Sequence, residues 1–163
     1  MHINWNINNE IENISLEEFE NDYQSFFGFI MLKLGDYQLG YLNKRYSFDE
    51  GDEDISYYID SLIKCGITLL LGQDFRVHLL ASNLLEIRVS YYRDVSIAVV
   101  QTKTEEILYS GNISFKEFSD EILNNYEKYI NSIRKLNISL LKSQTVRRTV
   151  MYYEIYKKLL DNF

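Results

Sequence analysis

Proline is absent from this chain of 163 residues, and cysteine, histidine and glycine are scarce. There are one Cys, two His and seven Gly. Without proline or a run of serine and glycine, no stretch has the composition of an interdomain linker, so we predict a single domain over residues 1–163. The only cysteine, Cys65, allows no disulfide within the chain, which predicts a reducing compartment.

Long apolar runs are also missing. No stretch approaches the length that crosses a bilayer, and residues 1–5 lack the basic and apolar regions of a secretory signal. We therefore predict a cytoplasmic protein that does not bind membranes. The apolar fraction of 46% is enough for a packed core.

The scarcity of histidine and cysteine limits catalysis and metal binding. One Cys and two His give no spaced pair of nitrogen or sulfur ligands, so we predict no metal site. His78 lies within a predicted strand and Cys65 lies among apolar residues, which favours structural roles for both. Nucleophile elbows, phosphate-binding glycine loops and dinucleotide fingerprints are absent. The sequence thus predicts no enzymatic activity and no cofactor.

Negative charge is concentrated in the first part of the chain, which has a formal net charge of −7 overall. Residues 1–60 hold thirteen Asp/Glu and three Lys/Arg, a net charge of −10, whereas residues 61–163 have a net charge of +3. An acidic surface repels phosphate backbones, so we predict no binding to nucleic acid. The same charge attracts a basic protein, although solubility alone is an alternative explanation.

The densest acidic stretch spans residues 49–54 and is followed by two tyrosines. Its spacing departs from the calcium-binding loop of an EF-hand, so it predicts no calcium site. Tyrosine beside carboxylates is typical of an interface centre with a charged rim. The predicted partner-binding residues are Asp49, Glu50, Asp52, Glu53, Asp54, Tyr57 and Tyr58. The alternative is a solvated acidic loop that caps the following helix, whose dipole favours negative charge at its start.

The periodicity of apolar residues predicts the elements. Strands are expected over residues 3–7, 27–34, 37–42, 67–71, 75–80, 85–91, 95–99 and 105–113. A helix from Ile55 should end near Cys65, with Gly66 as a left-handed cap. Ser15 and Ser114 each begin a capping box, the first before a short acidic helix and the second before a long helix whose apolar stripe extends to Leu140.

A last helix is expected over residues 145–160. We therefore predict an α+β fold, in which an antiparallel meander sheet of about five to seven strands packs against helices, two of them C-terminal. Arg147, Arg148, Lys157 and Lys158 form a basic patch on the last helix. This patch is either a wetted face or a partner for the acidic half, within one molecule or between two.

Six short segments follow one another in a recognisable layout. They are residues 16–19 (LEEF), 28–32 (GFIML), 35–36 (GD), 59–62 (IDSL), 71–74 (LGQD) and 113–118 (ISFKEF). This layout resembles the small acidic immunity proteins encoded beside secreted bacterial polymorphic toxins. The resemblance implies an inhibitor that binds a cognate toxin domain, often a basic one, and covers its active site. It transfers no binding residue, because these families vary most at the binding surface.

Two other functions are compatible with the sequence. A self-assembling structural or adaptor protein could pair through its C-terminal helix, so a monomer and a homodimer both remain open. A hydrolase that uses paired carboxylates would need two of them to converge in one cleft.

Overall fold

The computed structural model describes residues 1–40, 53–78 and 85–163, and the predicted strand residues 41–42 and 79–80 lie outside this part. The described residues confirm the predicted α+β fold with two C-terminal helices. The strands are β1 (His2–Ile7), β2 (Phe27–Leu34), β3 (Tyr37–Gly40), β4 (Glu53–Asp54), β5 (Phe75–His78), β6 (Leu85–Tyr91), β7 (Val95–Gln101) and β8 (Glu106–Ile113). The helices are the single turn α1 (Leu16–Glu18), α2 (Ile55–Leu70), α3 (Phe115–Leu136) and α4 (Gln144–Leu160). In place of one meander, these strands form two antiparallel sheets of four strands each.

The first sheet joins the N-terminal strand to the predicted hairpin. β1 pairs antiparallel with β2, so that Trp5 lies opposite Ile30, and β2 pairs with β3. The turn between β2 and β3 contains Gly35 at φ +59°, a left-handed conformation that glycine adopts without a steric penalty. β4 pairs with the first two residues of β2. Trp5 and Ile30 are both buried, so this face of the sheet belongs to the core.

The second sheet is a meander in the order β5-β6-β7-β8. Ile87 and Val89 of β6 and Ile97 of β7 are buried on one face. On the other face, Arg88 forms ion pairs with Glu86 and Glu105 at 2.7 and 2.8 Å. The alternation confirms that one face of this meander meets the core, while the other carries polar and charged side chains.

Helix α2 is longer than the sequence predicted. It continues through Cys65 and Gly66 to Leu70, so the predicted helix end and the predicted strand over residues 67–71 are wrong. The left-handed glycine that follows the helix is Gly72, at φ +74°. The apolar residues after Gly66 therefore extend the buried stripe of a helix, and a continuous apolar run of this length does not by itself distinguish helix from strand.

Gly66 has a packing role in place of the predicted capping role. A Cβ atom at this position would lie 2.6 Å from Ile122 Cδ1 of α3 and 2.6 Å from Tyr156 Cε2 of α4. Both neighbours are fully buried, so they have little room to move. The missing side chain thus allows α2 to approach both C-terminal helices.

Helix α3 begins with the capping box that the sequence predicts. Ser114 Oγ accepts a hydrogen bond from the Glu117 backbone N–H, and the Glu117 carboxylate accepts from the Ser114 N–H. The Ser114 hydroxyl and N–H hold the pKa of Glu117 below its usual range. Helix α4 begins with a simple N-cap, in which Ser143 Oγ accepts a hydrogen bond from the Val146 N–H.

The long C-terminal helix ends at Leu136 and does not reach Leu140. Asn137 leaves the helical conformation at φ −157°, and a 3-10 turn over Ile138–Lys142 follows. Leu140 is nevertheless buried, so it continues the apolar stripe from within the turn. The turn reverses the chain and brings α4 against α2, which also packs on α3 and on both sheets.

Within the described residues, no helix is long and apolar enough to cross a bilayer.

Replacing Gly66 by alanine tests the close approach of the helices. Helix propensity alone would make Gly66→Ala more stable by roughly 1 kcal/mol. The contacts with Ile122 and Tyr156 oppose this gain, so we expect the free energy of unfolding to fall by about 1–3 kcal/mol in urea denaturation. The sign of the change therefore separates the two effects, and a stabilised variant would contradict the packing described.

Candidate protein-binding surface

The structure describes four of the seven predicted partner-binding residues. Asp49, Glu50 and Asp52 lie outside the described residues. Glu53 and Asp54 form β4 beside Phe27 and Gly28 of β2. Tyr57 and Tyr58 lie in the first turn of α2.

Asp54 is the N-cap of α2. Its Oδ1 accepts hydrogen bonds from the Tyr57 backbone N–H at 2.9 Å and from the Ser25 hydroxyl at 2.5 Å. A carboxylate at an N-cap satisfies a helical N–H that has no other partner, which typically stabilises a helix by about 1 kcal/mol. Asp54 therefore holds the start of α2 and joins it to the segment before β2.

The two tyrosines point to different environments. Tyr57 is 45% exposed, whereas Tyr58 is half-buried against the core and lines a cavity between the two sheets. Their rings meet edge to face at 5.7 Å. Of this pair, Tyr57 is the one that offers a large aromatic surface to solvent.

A second acidic segment, residues 9–24, lies wholly within the described part of the chain. Its exposed carboxylates belong to Glu10, Glu12, Glu17, Glu18 and Asp22. No ion pair among the described residues involves any of these five side chains. The sequence alone indicates that this segment is acidic, because the first Lys or Arg in the chain is Lys33.

The acidic segment is anchored to the C-terminal helices. Asn137 Nδ2 donates to the backbone oxygens of Ile11 and Ile14 at 3.0 and 2.9 Å. The Thr145 hydroxyl donates to the oxygen of Gln24 at 2.5 Å. These bonds hold both ends of the segment against the turn between α3 and α4.

The middle of the acidic segment is held by the buried ring of Phe19 and by the Glu20 carboxylate at the start of α4. After α1 the chain makes a single π-helical turn over Phe19–Tyr23, whose Phe19 ring is fully buried 4.6 Å from that of Phe26. Glu20 accepts a hydrogen bond at 2.6 Å from the backbone N–H of Gln144, the first residue of α4. A carboxylate there also interacts favourably with the helix dipole. The five exposed carboxylates are thus presented from an ordered backbone.

Exposed aromatic residues adjoin this segment. Phe27 is 38% exposed, and its backbone oxygen accepts a hydrogen bond from the Asn8 N–H, directly before the segment. Phe27 also lies opposite Asp54 in the first sheet, and Asp54 caps the turn that contains Tyr57. Backbone contacts therefore connect all these elements. We call the five carboxylates together with Phe27 and Tyr57 the acidic surface.

One acidic residue of the N-terminal half is neutralised inside the protein. Asp60 on α2 is only 3% exposed, and its two oxygens accept hydrogen bonds from Arg148 Nε at 2.7 Å and from the Thr149 hydroxyl at 2.6 Å. The predicted basic patch is therefore divided. Arg148, whose side chain is 47% exposed, pairs with the buried Asp60. Arg147, Lys157 and Lys158 are exposed and form no ion pair within the described part of the chain.

The described cavities do not assemble a hydrolytic site. An apolar cavity of about 90 Å³ lies between the inner faces of the two sheets, with Cys65 on its wall. Burial raises the pKa of the Cys65 thiol, so this group stays protonated and is a poor nucleophile. A groove on the outer face of the second sheet contains one carboxylate, that of Asp74. Residues 1–40, 53–78 and 85–163 contain no group of three potential metal ligands.

Comparison with family models, curated proteins and solved structures finds no match to this chain.

Arg148 and Arg147 provide a matched pair of substitutions. Arg148→Gln leaves the buried Asp60 carboxylate without its charged partner, so we expect the free energy of unfolding to fall by about 1–3 kcal/mol. Arg147→Gln removes the same charge from the neighbouring residue, which forms no ion pair within the described residues. It should change the free energy of unfolding by less than about 0.5 kcal/mol. Chemical denaturation measures both. Equal effects of the two substitutions would contradict a structural role for the Asp60–Arg148 pair.

Proposed function

We propose that this chain is an immunity-type protein, which binds a cognate basic toxin domain in the cytoplasm and neutralises it by covering its active site. The observation that supports this proposal most is the set of five exposed carboxylates within residues 9–24, none of them in an ion pair within the described residues. Five carboxylates that no described basic residue pairs with favour a partner of the opposite sign.

Electrostatics supplies the first part of the recognition. Like charges placed close together raise the potential near the surface, which speeds the encounter with a basic protein and disfavours acidic ones. The effect extends over roughly 8 Å at physiological ionic strength, so it acts before contact is made. These carboxylates are suited to this role, because no ion pair within the described residues must break before the partner binds.

The aromatic residues supply the second part. Charge at the rim of an interface mainly sets the association rate, whereas most of the binding energy comes from a few large side chains near its centre. Phe27 and Tyr57 are exposed aromatic residues beside the acidic segment. Their ring faces can also accept the cationic groups of Arg and Lys, an interaction that contributes about 0.5–1 kcal/mol at an exposed site. A basic partner therefore suits both the carboxylates and the aromatic rings of the acidic surface.

The predicted acidic stretch keeps a place in this proposal. Asp49, Glu50 and Asp52 precede β4, and β4 lies against Phe27. Asp54 is unsuitable for a test by charge reversal, because a lysine there would remove the cap of α2 as well as the charge. The exposed carboxylates of the acidic segment avoid this ambiguity.

Reversal of three charges tests the proposal. The triple variant Glu12→Lys, Glu17→Lys and Asp22→Lys should bind the toxin domain encoded beside this protein at least about tenfold more weakly, because like charges then meet in the complex. The control variant, Glu127→Lys, Glu154→Lys and Asp161→Lys, changes the net charge equally on exposed positions of α3, α4 and the residue after α4. Calorimetric titration measures affinity, and growth of cells that express the toxin domain measures protection.

We expect the control variant to bind and protect as the unmodified protein does. Thermal unfolding confirms that both variants are folded. If both triple variants lose affinity equally, net charge is responsible and the acidic surface is not the binding site. If neither loses affinity, the electrostatic proposal is wrong.

A further inference from the structure

The cavity between the two sheets has three walls. Ile3 of β1, Leu32 of β2 and Leu39 of β3 lie in one row of paired residues on the first wall, which belongs to the first sheet. Val89 of β6 and Ile97 of β7 lie opposite each other on the second wall, which belongs to the second sheet. One side of α2 supplies the third wall. Side chains from two sheets and a helix therefore surround the same space.

The lining of this cavity is almost entirely apolar. Of its sixteen residues, thirteen are Met, Ile, Leu, Val or Phe, and the others are Tyr58, Ser61 and Cys65. The volume of about 90 Å³ exceeds the roughly 10–15 Å³ that one water molecule needs. Water nevertheless gains little there, because a buried water typically makes about three hydrogen bonds and these walls offer few polar partners. The cavity therefore suits a hydrocarbon group better than water.

Two small side chains of α2 leave this space open. Ser61 and Cys65 lie one turn apart on the third wall, and both are smaller than the leucine and isoleucine residues around them. An unfilled cavity lowers stability roughly in proportion to its volume. Larger apolar residues at these two positions would therefore stabilise a protein whose cavity had no occupant. The small residues thus favour a bound molecule over a packing defect.

The cavity is partly open to solvent. Leu32 of the first sheet, Leu62 of α2 and Val77 of the second sheet all line it, and each of them is partly exposed. Tyr58 and Ser61, which carry its two hydroxyl groups, are also only partly buried. A small molecule can therefore enter while both sheets stay intact, and a polar end of that molecule can remain near these hydroxyls and solvent.

We propose that this cavity binds a small neutral ligand through an unbranched hydrocarbon group of a few carbon atoms. The hydrocarbon group lies between the two sheets, and the polar end of the ligand lies near Tyr58 and Ser61. A charged group is disfavoured inside, because no Asp, Glu, Lys or Arg is among the described residues that line the cavity. The proposal does not rest on the proposed function, since no residue of the acidic surface lines the cavity.

Titration of the full chain with straight-chain alcohols, from n-propanol to n-hexanol, tests the proposal. Each added methylene should tighten binding about fourfold until the cavity is filled, after which further ones should add little. Methyl NMR locates the site. The signals of Ile59, Leu62 and Ile97, which line the cavity, should shift and saturate together. Those of Leu140 and Val146, which are buried away from the cavity, should stay in place.

Diols of the same lengths, with a hydroxyl group at each end, are the matched control probes. Such a diol must bury one hydroxyl among apolar side chains, so we expect it to bind at least about tenfold more weakly than the alcohol. Equal affinity for alcohol and diol would overturn the proposal. So would the absence of saturable shifts at the cavity, or shifts of the same size at Leu140 and Val146.

A substitution that fills the cavity gives a second test. Ser61→Leu should weaken the binding of n-pentanol at least about tenfold, whereas Thr68→Leu, on a part of α2 that does not line the cavity, should leave it unchanged. Cys65→Leu fills the same wall and replaces Ser61→Leu if thermal unfolding shows that variant to be unfolded. Binding that survives the filling substitution, or that Thr68→Leu weakens equally, would overturn the proposal. The alcohol series decides without any variant.

Discussion

The Asp60 carboxylate links α2 to α4 inside the protein, and the position of the acidic surface depends on this contact. Arg148 and Thr149 satisfy its two oxygens, while Gly66 farther along α2 lets Tyr156 and Ile122 approach. A buried charge is costly unless it is paired and hydrogen-bonded, so this pairing fixes where α2 lies against α4. α2 in turn carries Asp54 and Tyr57 at its start, and the turn before α4 anchors residues 9–24. The same helices therefore determine the core and the site of the exposed carboxylates.

Eight acidic residues of the N-terminal half fall into two groups with different physical roles. Asp54, Asp60 and Glu20 bind partners within the protein: a helix N-terminus, an arginine with a threonine, and the first N–H of α4. The five carboxylates of the acidic surface make no ion pair within the described residues. An arginine thus neutralises Asp60 within the protein, whereas the five carboxylates of the acidic surface lie open to solvent on an anchored segment.

The sequence predicts correctly those strands and helix starts that depend on residues close together in the chain. β6 has its predicted bounds, residues 85–91, because its apolar alternation is regular, and Ser114 caps α3 because both groups of the capping box are near in sequence. The sequence predicts a helix cap at Gly66, whereas its role is in packing. Its neighbours, Ile122 and Tyr156, are distant in sequence, and only the folded helices bring them close. The sequence pointed to residues 49–54 as the partner site through their density of charge. The alternative, that the acidic stretch caps the following helix, is what Asp54 does. The sequence could not show that a second segment has five carboxylates that make no ion pair within the described residues.

The dependence of the association rate on ionic strength tests the proposed attraction most directly. Stopped-flow mixing of this protein with the basic toxin domain that we propose as its partner would measure association and dissociation separately. If exposed carboxylates attract a basic partner, the association rate constant should fall steeply as salt is added, while the dissociation rate constant changes little. An association rate constant that is the same at low and high salt would contradict the account.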